Sequence, residues 1–264
     1  MENLRSAASY LLKGELRMAG VELAPTPLFI SIYNRKSDAT LSRRSDDGYT
    51  LETDDGDWLL PNAKDAIRIT HVANGFTPPG YKRLLDKYQY DGFVELTRDD
   101  RVLDVGAYIG EFSRAVTRAS DATVGAAVEP DPENARFVEA NTNVDVHQRA
   151  VWNESTEISF NRASHGSESS LLAVDRGHSE QVTVAAWTLD EILADVGEIT
   201  FLKIEAEGAE PEALEGMETH RPAAVAVDCG PERDGEDTIA ACVSQLTAYG
   251  YKTRVKRNVV FGAR

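Results

Sequence analysis

Residues 102–110 of the 264-residue chain read Val102-Leu103-Asp104-Val105-Gly106-Ala107-Tyr108-Ile109-Gly110. An apolar run of this kind is typical of a buried strand, and the glycines that follow predict a tight turn leading into a helix. In open α/β sheets, ligands bind in the crevice beyond the carboxyl ends of such strands. The stretch therefore predicts an α/β domain with a ligand beside Gly106 and Gly110. Asp104, at the end of the strand, can accept a hydrogen bond from a cationic amino group.

Strand-like and helix-like segments alternate from residue 100 onward, which is the signature of parallel βαβ units. The predicted strands span 101–105, 123–129, 144–148, 200–205, 223–228, 251–256 and 259–263. The predicted helices span 110–119, 132–141, 210–216 and 238–249. Only Arg257 and Asn258 separate the last two strands, so these must form an antiparallel hairpin. Residues 99–264 are thus predicted to form a doubly wound, mainly parallel seven-stranded sheet with an antiparallel C-terminal hairpin.

The first 98 residues predict an N-terminal α+β extension or cap. Apolar residues at helical spacing predict an amphipathic helix over 4–19, and the run 28–33 predicts a strand. Residues 49–52 and 58–60 flank Asp54-Asp55-Gly56-Asp57, which predicts a hairpin. A helix is predicted over 80–92, ending near Gly92.

Glu129 strengthens the case for a cofactor site, because it ends the strand after the glycine loop. An acid there can accept hydrogen bonds from both hydroxyls of a ribose. The spacing from Gly106 to Gly110 is G-x-x-x-G, without the G-x-G-x-x-G of dinucleotide sites. This favours a ligand that lacks a pyrophosphate, such as S-adenosylmethionine. A nicotinamide-dependent oxidoreductase would use the same loop and acid, and a non-catalytic binding protein that retains the fold also stays open.

Four blocks resemble the FkbM-type methyltransferases: V-L-D-V-G-A-Y-I-G at 102–110, V-E-P-D-P-E-N at 128–134, Q-R-A-V-W at 148–152 and F-L-K-I-E-A-E-G-A-E at 201–210. The resemblance implies the Rossmann-like fold of class I methyltransferases, with S-adenosylmethionine as the methyl donor. It also implies O-methylation of a hydroxyl, or a carboxyl, on a sugar or glycan precursor or on another small metabolite. Tyr108, Glu205 and Ala206 stand where the family usually has Asn, Asp and Val.

The resemblance also implies which residues contact the donor. These are Asp104, Gly106, Tyr108, Gly110, Glu129 and Pro130, with Ala150 and Val151 near the adenine.

Methyl transfer needs no covalent enzyme nucleophile, but a hydroxyl acceptor must lose its proton. The candidate bases are Glu205, Asp228 and His165. Glu205 is preferred because it lies at the carboxyl edge of its strand, beside the ligand crevice. Lys203 points to the same face as Glu205, so it either pairs with an acid or acts on the substrate. Glu205 and Asp228 together suit a divalent cation, but no third ligand is identifiable and no metal is predicted.

Composition narrows the choice of partners and compartment. The formal net charge is -16, with acids spread along the chain, which disfavours nucleic acid as a partner. Only eight of the 28 basic residues are lysine, a balance that resembles proteins from salt-loving organisms. There is neither a signal-like start nor an apolar run of about 18 residues, so no membrane insertion is predicted and a cytoplasmic location is expected. The oligomeric state cannot be read from the sequence.

Overall fold

A computed structural model describes residues 26–35, 37–45, 48–66, 69, 78–162, 180–233 and 235–264. The helix predicted over 4–19 and the candidate base His165 lie outside these ranges. The chain divides between Arg83 and Leu84 into two compact units.

The first unit contains a helix and a three-stranded antiparallel sheet. Helix α1 spans Thr26–Asn34, and the strands are β1 (Thr40–Arg43), β2 (Tyr49–Glu52) and β3 (Trp58–Leu60), in the order β1-β2-β3. The predicted hairpin is confirmed, since β2 and β3 pair antiparallel with Tyr49 opposite Leu60. Strand β1 was not predicted.

The strand predicted over 28–33 is wrong, because these residues belong to helix α1. Phe29 and Tyr33 are the buried residues of the helix, and their spacing of four places them on one helical face. Leu28 is 40% exposed. A short apolar run rich in isoleucine fits a strand or a helix equally well by composition, and here the burial of one helical face decides.

Helix α2 spans Pro78–Lys87, so it ends before the predicted limit of 92. A turn follows it, in which Tyr90 forms a bridge with Val94 and Gly92 has a φ of 66°.

The second unit is built on a seven-stranded sheet. Its strands, with those of a smaller sheet, are β4 (Arg101–Val105), β5 (Thr123–Val128), β6 (Val146–His147), β7 (Ala150–Val151), β8 (Thr156–Arg162), β9 (Glu180–Trp187), β10 (Phe201–Glu205), β11 (Ala224–Asp228), β12 (Lys252–Lys256) and β13 (Val259–Ala263). Its helices are α3 (Glu111–Ala119), α4 (Pro132–Asn141), α5 (Leu189–Val196), α6 (Glu210–Glu215) and α7 (Ile239–Ala248). The large sheet has the order β12-β13-β11-β10-β4-β5-β6, with only β13 antiparallel to its neighbours. The predicted sheet and its terminal hairpin are thus confirmed.

The sequence did not predict the smaller sheet, which has the order β7-β9-β8 and joins β6 to α5. Helix α5 was not predicted either, although its start carries a recognisable signal. Thr188 and Glu191 form a capping box, in which each side chain accepts a hydrogen bond from the backbone N–H of the other residue.

Alternation along the central strands gives the large sheet two different faces. Leu103, Val105, Leu202 and Ile204 lie in one apolar cluster with residues of α5, α6 and α7. The intervening residues Asp104 and Lys203 point to the opposite face, as the period of two in a strand requires. This second face therefore carries charged groups into the interior of the unit.

No helix within the described ranges is both long enough and apolar enough to cross a membrane.

Candidate active site

The register of the sheet brings the charged residues together. Strands β4, β10 and β11 are parallel neighbours, with Asp104 opposite Lys203 and Glu205 opposite Asp228. Glu205 and Asp228 are the last residues of their strands, at the edge where open α/β sheets bind ligands. Asp104 and Lys203 lie one and two residues before the ends of β4 and β10. Because the strands are aligned in this register, these residues from three strands lie together in one cluster.

Lys203 is a buried structural cation. Its ammonium lies 3.0 Å from Asp104 Oδ1, and it donates to the carbonyl oxygens of Gly106 at 2.8 Å and Val105 at 3.1 Å. Only 2% of its side chain is exposed. Burial alone would lower the pKa of Lys203, but the charges of Asp104 and Glu205 outweigh this effect and raise it. Of the two roles predicted for Lys203, the geometry supports pairing with an acid.

Asp104 lies entirely in the interior, with no exposed surface. Besides facing Lys203, it accepts hydrogen bonds at Oδ2 from the backbone N–H of Ser113 at 3.1 Å and from the Ser113 hydroxyl at 2.7 Å. These contacts tie the end of β4 to the first turn of α3. Direct contact between Asp104 and a bound donor stays a prediction.

The two loop glycines are required by the protein's own packing. Gly106 has a φ of 75°, and a Cβ atom there would lie 1.7 Å from the carbonyl oxygen of Glu205. Gly110 has a φ of 90°, and a Cβ atom there would lie 2.7 Å from the side chain of Thr142. Their first function in this fold is therefore to let the loop pass close to β10 and α4, whereas the sequence suggested approach to a ligand.

Glu129 follows β5 and is buried, with 5% of the residue exposed. Its Oε2 accepts a hydrogen bond from the backbone N–H of Tyr108 at 2.8 Å. Its Oε1 accepts from the backbone N–H of Asp131 at 3.1 Å and from the Asn134 amide at 3.4 Å. Burial raises the pKa of Glu129 to about 7, although these hydrogen bonds oppose the rise. The carboxylate thus links the glycine loop to the start of α4.

The remaining predicted donor residues flank this region. Tyr108 is buried in the loop with a φ of 54°, and Pro130 follows Glu129. Ala150 and Val151 are buried in β7, where they pair with β9. A role for any of these four residues in donor binding stays a prediction.

Glu205 and Asp228, two of the candidate bases, lie opposite each other at the ends of β10 and β11 and form an acid pair. The sequence did not predict the partners of this pair. The Lys87 ammonium lies 3.1 Å from Glu205 Oε1 and 2.5 Å from Asp228 Oδ2. The Tyr88 hydroxyl donates to Glu205 Oε2 at 2.7 Å, and the Asn258 amide donates to Asp228. No local pattern identifies Lys87 and Tyr88, because they precede Glu205 by more than 100 residues.

The two acids differ in their surroundings. The side chain of Glu205 is 36% exposed, and that of Asp228 is 9% exposed. Burial raises the pKa of Asp228 to about 6, and the negative charge of Glu205 adds to the rise while Lys87 opposes it. A carboxylate with a pKa near 6 is largely ionised at neutral pH and suits general base catalysis.

Lys87 occupies the position between the two acids that a divalent cation would need. Within the described ranges, no cluster of three or more His, Cys, Asp or Glu side chains could hold a metal ion.

The turn after β10 is organised by another buried acid, Glu210. Its Oε1 accepts from the backbone N–H groups of Ala206 and Gly208, both at 3.0 Å, and its Oε2 accepts from the Thr238 hydroxyl at 2.9 Å. Burial raises the pKa of Glu210 to about 7. These hydrogen bonds to Glu210 therefore fix the conformation of the backbone directly after Glu205.

The methyltransferase FkbM domain model matches residues 104–252, which is more than half of the chain. The match includes the glycine loop and the acids of this site but not Lys87, Tyr88 and Asn258. The chain belongs to the FkbM methyltransferase family. The sheet order and its terminal hairpin are accordingly those of a class I, Rossmann-like methyltransferase. The family resemblance found in the sequence is confirmed.

Solved structures of methyltransferases are similar to this FkbM family member. The FkbM methyltransferase of Methylobacillus flagellatus is 16% identical, with 76% of this chain and 54% of that chain covered and a TM-score of 0.45. This chain thus spans about half the length of that protein. A TehB-like SAM-dependent methyltransferase of Corynebacterium glutamicum is 10% identical over 76% and 93% of the two chains, with a TM-score of 0.41. Fibrillarin of Aeropyrum pernix, solved with S-adenosyl-L-methionine, is 12% identical over 85% and 98%, with a TM-score of 0.41. No curated protein matches the chain at a significant level.

Proposed function

We propose that this chain is an S-adenosylmethionine-dependent O-methyltransferase that acts on a hydroxyl, or a carboxyl, of a sugar or glycan precursor or of another small metabolite. The proposal rests on one observation above the others. The glycine loop, Glu129 and the acid pair Glu205 and Asp228 all lie at the carboxyl edge of one parallel sheet. Membership of the FkbM methyltransferase family supports the reaction class. A cytoplasmic location is part of the proposal.

The chemistry of Glu129 fits a nucleoside donor. An ionised carboxylate has about four acceptor positions, of which backbone and amide donors at Glu129 take three. One position remains on Oε2, the oxygen that already accepts from the glycine loop. A ribose hydroxyl is a donor that matches it. Glu129 would thus hold the ribose, with Gly106, Tyr108 and Gly110 beside the rest of the donor.

S-adenosylmethionine, when bound, supplies a methyl group on a sulfonium. The protein has to orient the acceptor oxygen and remove its proton. Asp228 and Glu205 are the acids available for this step. Burial raises the pKa of Asp228 to about 6, and Glu205 has the greater exposure. We assign proton removal to the pair, with Glu205 directed toward the acceptor.

A methyl-transfer screen tests this function. The protein is incubated with S-adenosylmethionine that carries a radiolabelled methyl group and with nucleotide-linked, lipid-linked and free sugars. Label should appear in at least one acceptor class, and S-adenosylhomocysteine should form in equal amount. An Asp228→Asn variant should lose the transfer, whereas Glu139→Gln, a change at an exposed position of α4, should retain it.

Three other outcomes would redirect the proposal. Reduction of NAD by an alcohol, without methyl transfer, would favour the oxidoreductase. Absence of both donor binding and turnover would favour a non-catalytic protein that retains the fold. Failure of every sugar class with transfer to another metabolite would remove the glycan assignment alone.

A further inference from the structure

Lys87 and Tyr88 contact the acid pair from outside the family domain, which begins at residue 104. Lys87 is the last residue of α2, and Tyr88 follows it. Lys87 is 3.1 Å from Glu205 and 2.5 Å from Asp228, and the Tyr88 hydroxyl is 2.7 Å from Glu205. One dipeptide therefore supplies direct contacts to both candidate bases.

The acid pair needs a cation where Lys87 lies. Glu205 and Asp228 are cross-strand neighbours on adjacent parallel strands, so their carboxylates face each other at short range. Like charges at such a distance disfavour ionisation of both groups. A single ammonium that contacts one oxygen of each carboxylate offsets this repulsion and fixes the distance between them.

Tyr88 is held rigidly behind Glu205. Its side chain is fully buried, and its ring packs edge-on against Phe112 of α3 with ring centroids 4.9 Å apart. The Lys87 and Lys203 ammonium groups lie 4.8 Å and 5.6 Å from the centre of the same ring. The phenol hydroxyl is thereby aimed at one oxygen of Glu205.

We propose that Lys87 and Tyr88 are positioning residues for methyl transfer: Lys87 holds Glu205 and Asp228 as one ionised pair, and Tyr88 fixes the orientation of Glu205. The catalytic part of this inference rests on the proposed function. The pairing itself is a property of the protein alone.

Neither positioning residue can itself accept the proton. Burial would lower the pKa of Lys87, but Glu205 and Asp228 outweigh it and raise the pKa, so Lys87 remains an ammonium. Burial and the neighbouring acids raise the pKa of Tyr88 well above its ordinary value, so the phenol remains a neutral donor. Proton acceptance near neutral pH therefore falls to the two carboxylates.

The groups around Asp228 determine how removal of Lys87 changes the titration of the acid pair. Glu205 faces it from β10, Lys87 and Tyr88 from the end of α2, and Asn258 from the turn between β12 and β13. Of these, only Lys87 contributes a positive charge in direct contact with Asp228. Lys203 lies 3.5 Å from Glu205 Oε2 and remains beside the pair when Lys87 is removed. The removal leaves Asp228 with the repulsion from Glu205 and the effect of burial, so the pair should hold its last proton to a higher pH.

Carbon-13 NMR of the side-chain carboxyl groups tests the pairing without any ligand, with an Asp228→Asn variant to assign the resonance. In Lys87→Met, the titration of Asp228 should move upward by about one pH unit or more. Lys87→Arg should keep it near the wild-type value, and Lys82→Met, an exposed position on the same helix, should leave it unchanged. Lys87→Gln, which keeps a hydrogen-bond donor, serves if the methionine variant does not fold. If Asp228 titrated at the same pH in Lys87→Met and Lys87→Gln as in the wild type, the proposal would be overturned.

The pH dependence of kcat supplies the second readout. The acidic limb should move upward in Lys87→Met by the same shift as the NMR titration, and Tyr88→Phe should lower kcat without moving that limb. A shift in the titration without donor binding or methyl transfer would refute the proposed function and leave the pairing intact. If the protein transfers methyl groups but Lys87→Met moves neither the titration of Asp228 nor the acidic limb of kcat, the role of Lys87 is refuted and the proposed function stays intact.

Discussion

Replacing Lys203 with methionine removes the buried ammonium that joins strands β4 and β10. Methionine has a similar length and no charge, so the change reports on the ion pair more than on a cavity. Asp104 would keep its two hydrogen bonds from Ser113 but would lose the ammonium 3.0 Å from Oδ1, in a position without any exposed surface. The carbonyl oxygens of Val105 and Gly106 would lose a donor as well.

Breaking a buried pair by removal of one partner destabilises proteins by about 3–5 kcal/mol, because the other charge is left uncompensated. For a chain of this size, each kcal/mol shifts the midpoint of thermal unfolding by about 2–4 °C. We therefore expect Lys203→Met to lower the free energy of unfolding by about 3–5 kcal/mol and the midpoint by about 6–20 °C. Urea denaturation followed by circular dichroism measures the first quantity, and calorimetry measures the second.

Two further variants make this prediction sharp. Lys252→Met removes a lysine from an exposed position of β12 and should change stability by less than about 0.5 kcal/mol. Asp104→Asn combined with Lys203→Met leaves no unpaired charge and should recover part of the loss. A Lys203→Met protein as stable as Lys252→Met would refute the structural role that we assign to the ammonium.

Four other predictions concern ligand binding, catalysis, packing and salt. Burial raises the pKa of Glu129 to about 7, and an ionised acceptor is needed for the ribose, so calorimetry should show the affinity for S-adenosylhomocysteine rising about tenfold per pH unit toward pH 7 and then levelling off. Glu129→Gln should bind the ligand only weakly at every pH, without this dependence. Asp228→Asn should lower kcat by about 10²–10⁴-fold in the methyl-transfer assay, with unchanged affinity for the donor. Gly106→Ala should destabilise the protein by about 2 kcal/mol more than Gly92→Ala in urea denaturation, because both positions have positive φ but only Gly106 is crowded. With a net charge of -16, the midpoint of thermal unfolding should rise from low to multimolar KCl, and a constant midpoint would remove the halophile hypothesis.

The large sheet could be predicted because its signals are local. Apolar strands end in turns, helices follow with the right period, and two residues between the last strands permit only a hairpin. In the smaller sheet, β7 is only two residues long and carries no periodic signal. Strands β8 and β9 have seven and eight residues and do alternate, so their hairpin was missed although its signal is local. Helix α1 was mistaken for a strand because its apolar run is too short to distinguish the helical period of apolar residues from the strand period.

The site could be predicted only in part, for a reason that concerns register. Asp104, Glu129, Glu205 and Asp228 each lie at or next to the end of a strand, and that can be read from the sequence. The pairing of Asp104 with Lys203 depends on which residues lie opposite each other in β4 and β10, and no local pattern sets that alignment. Lys87 was beyond reach for the same physical reason, since its contacts depend on how α2 ends beside the sheet.

Calorimetric titration with S-adenosylmethionine, S-adenosylhomocysteine and NAD tests the central claim most directly. The account predicts micromolar binding of the first two ligands, loss of that binding in Glu129→Gln, and wild-type binding in Glu139→Gln. NAD should not bind. Binding of NAD alone, or equal binding of S-adenosylmethionine by wild type and Glu129→Gln, would contradict the donor site at the carboxyl edge of the sheet.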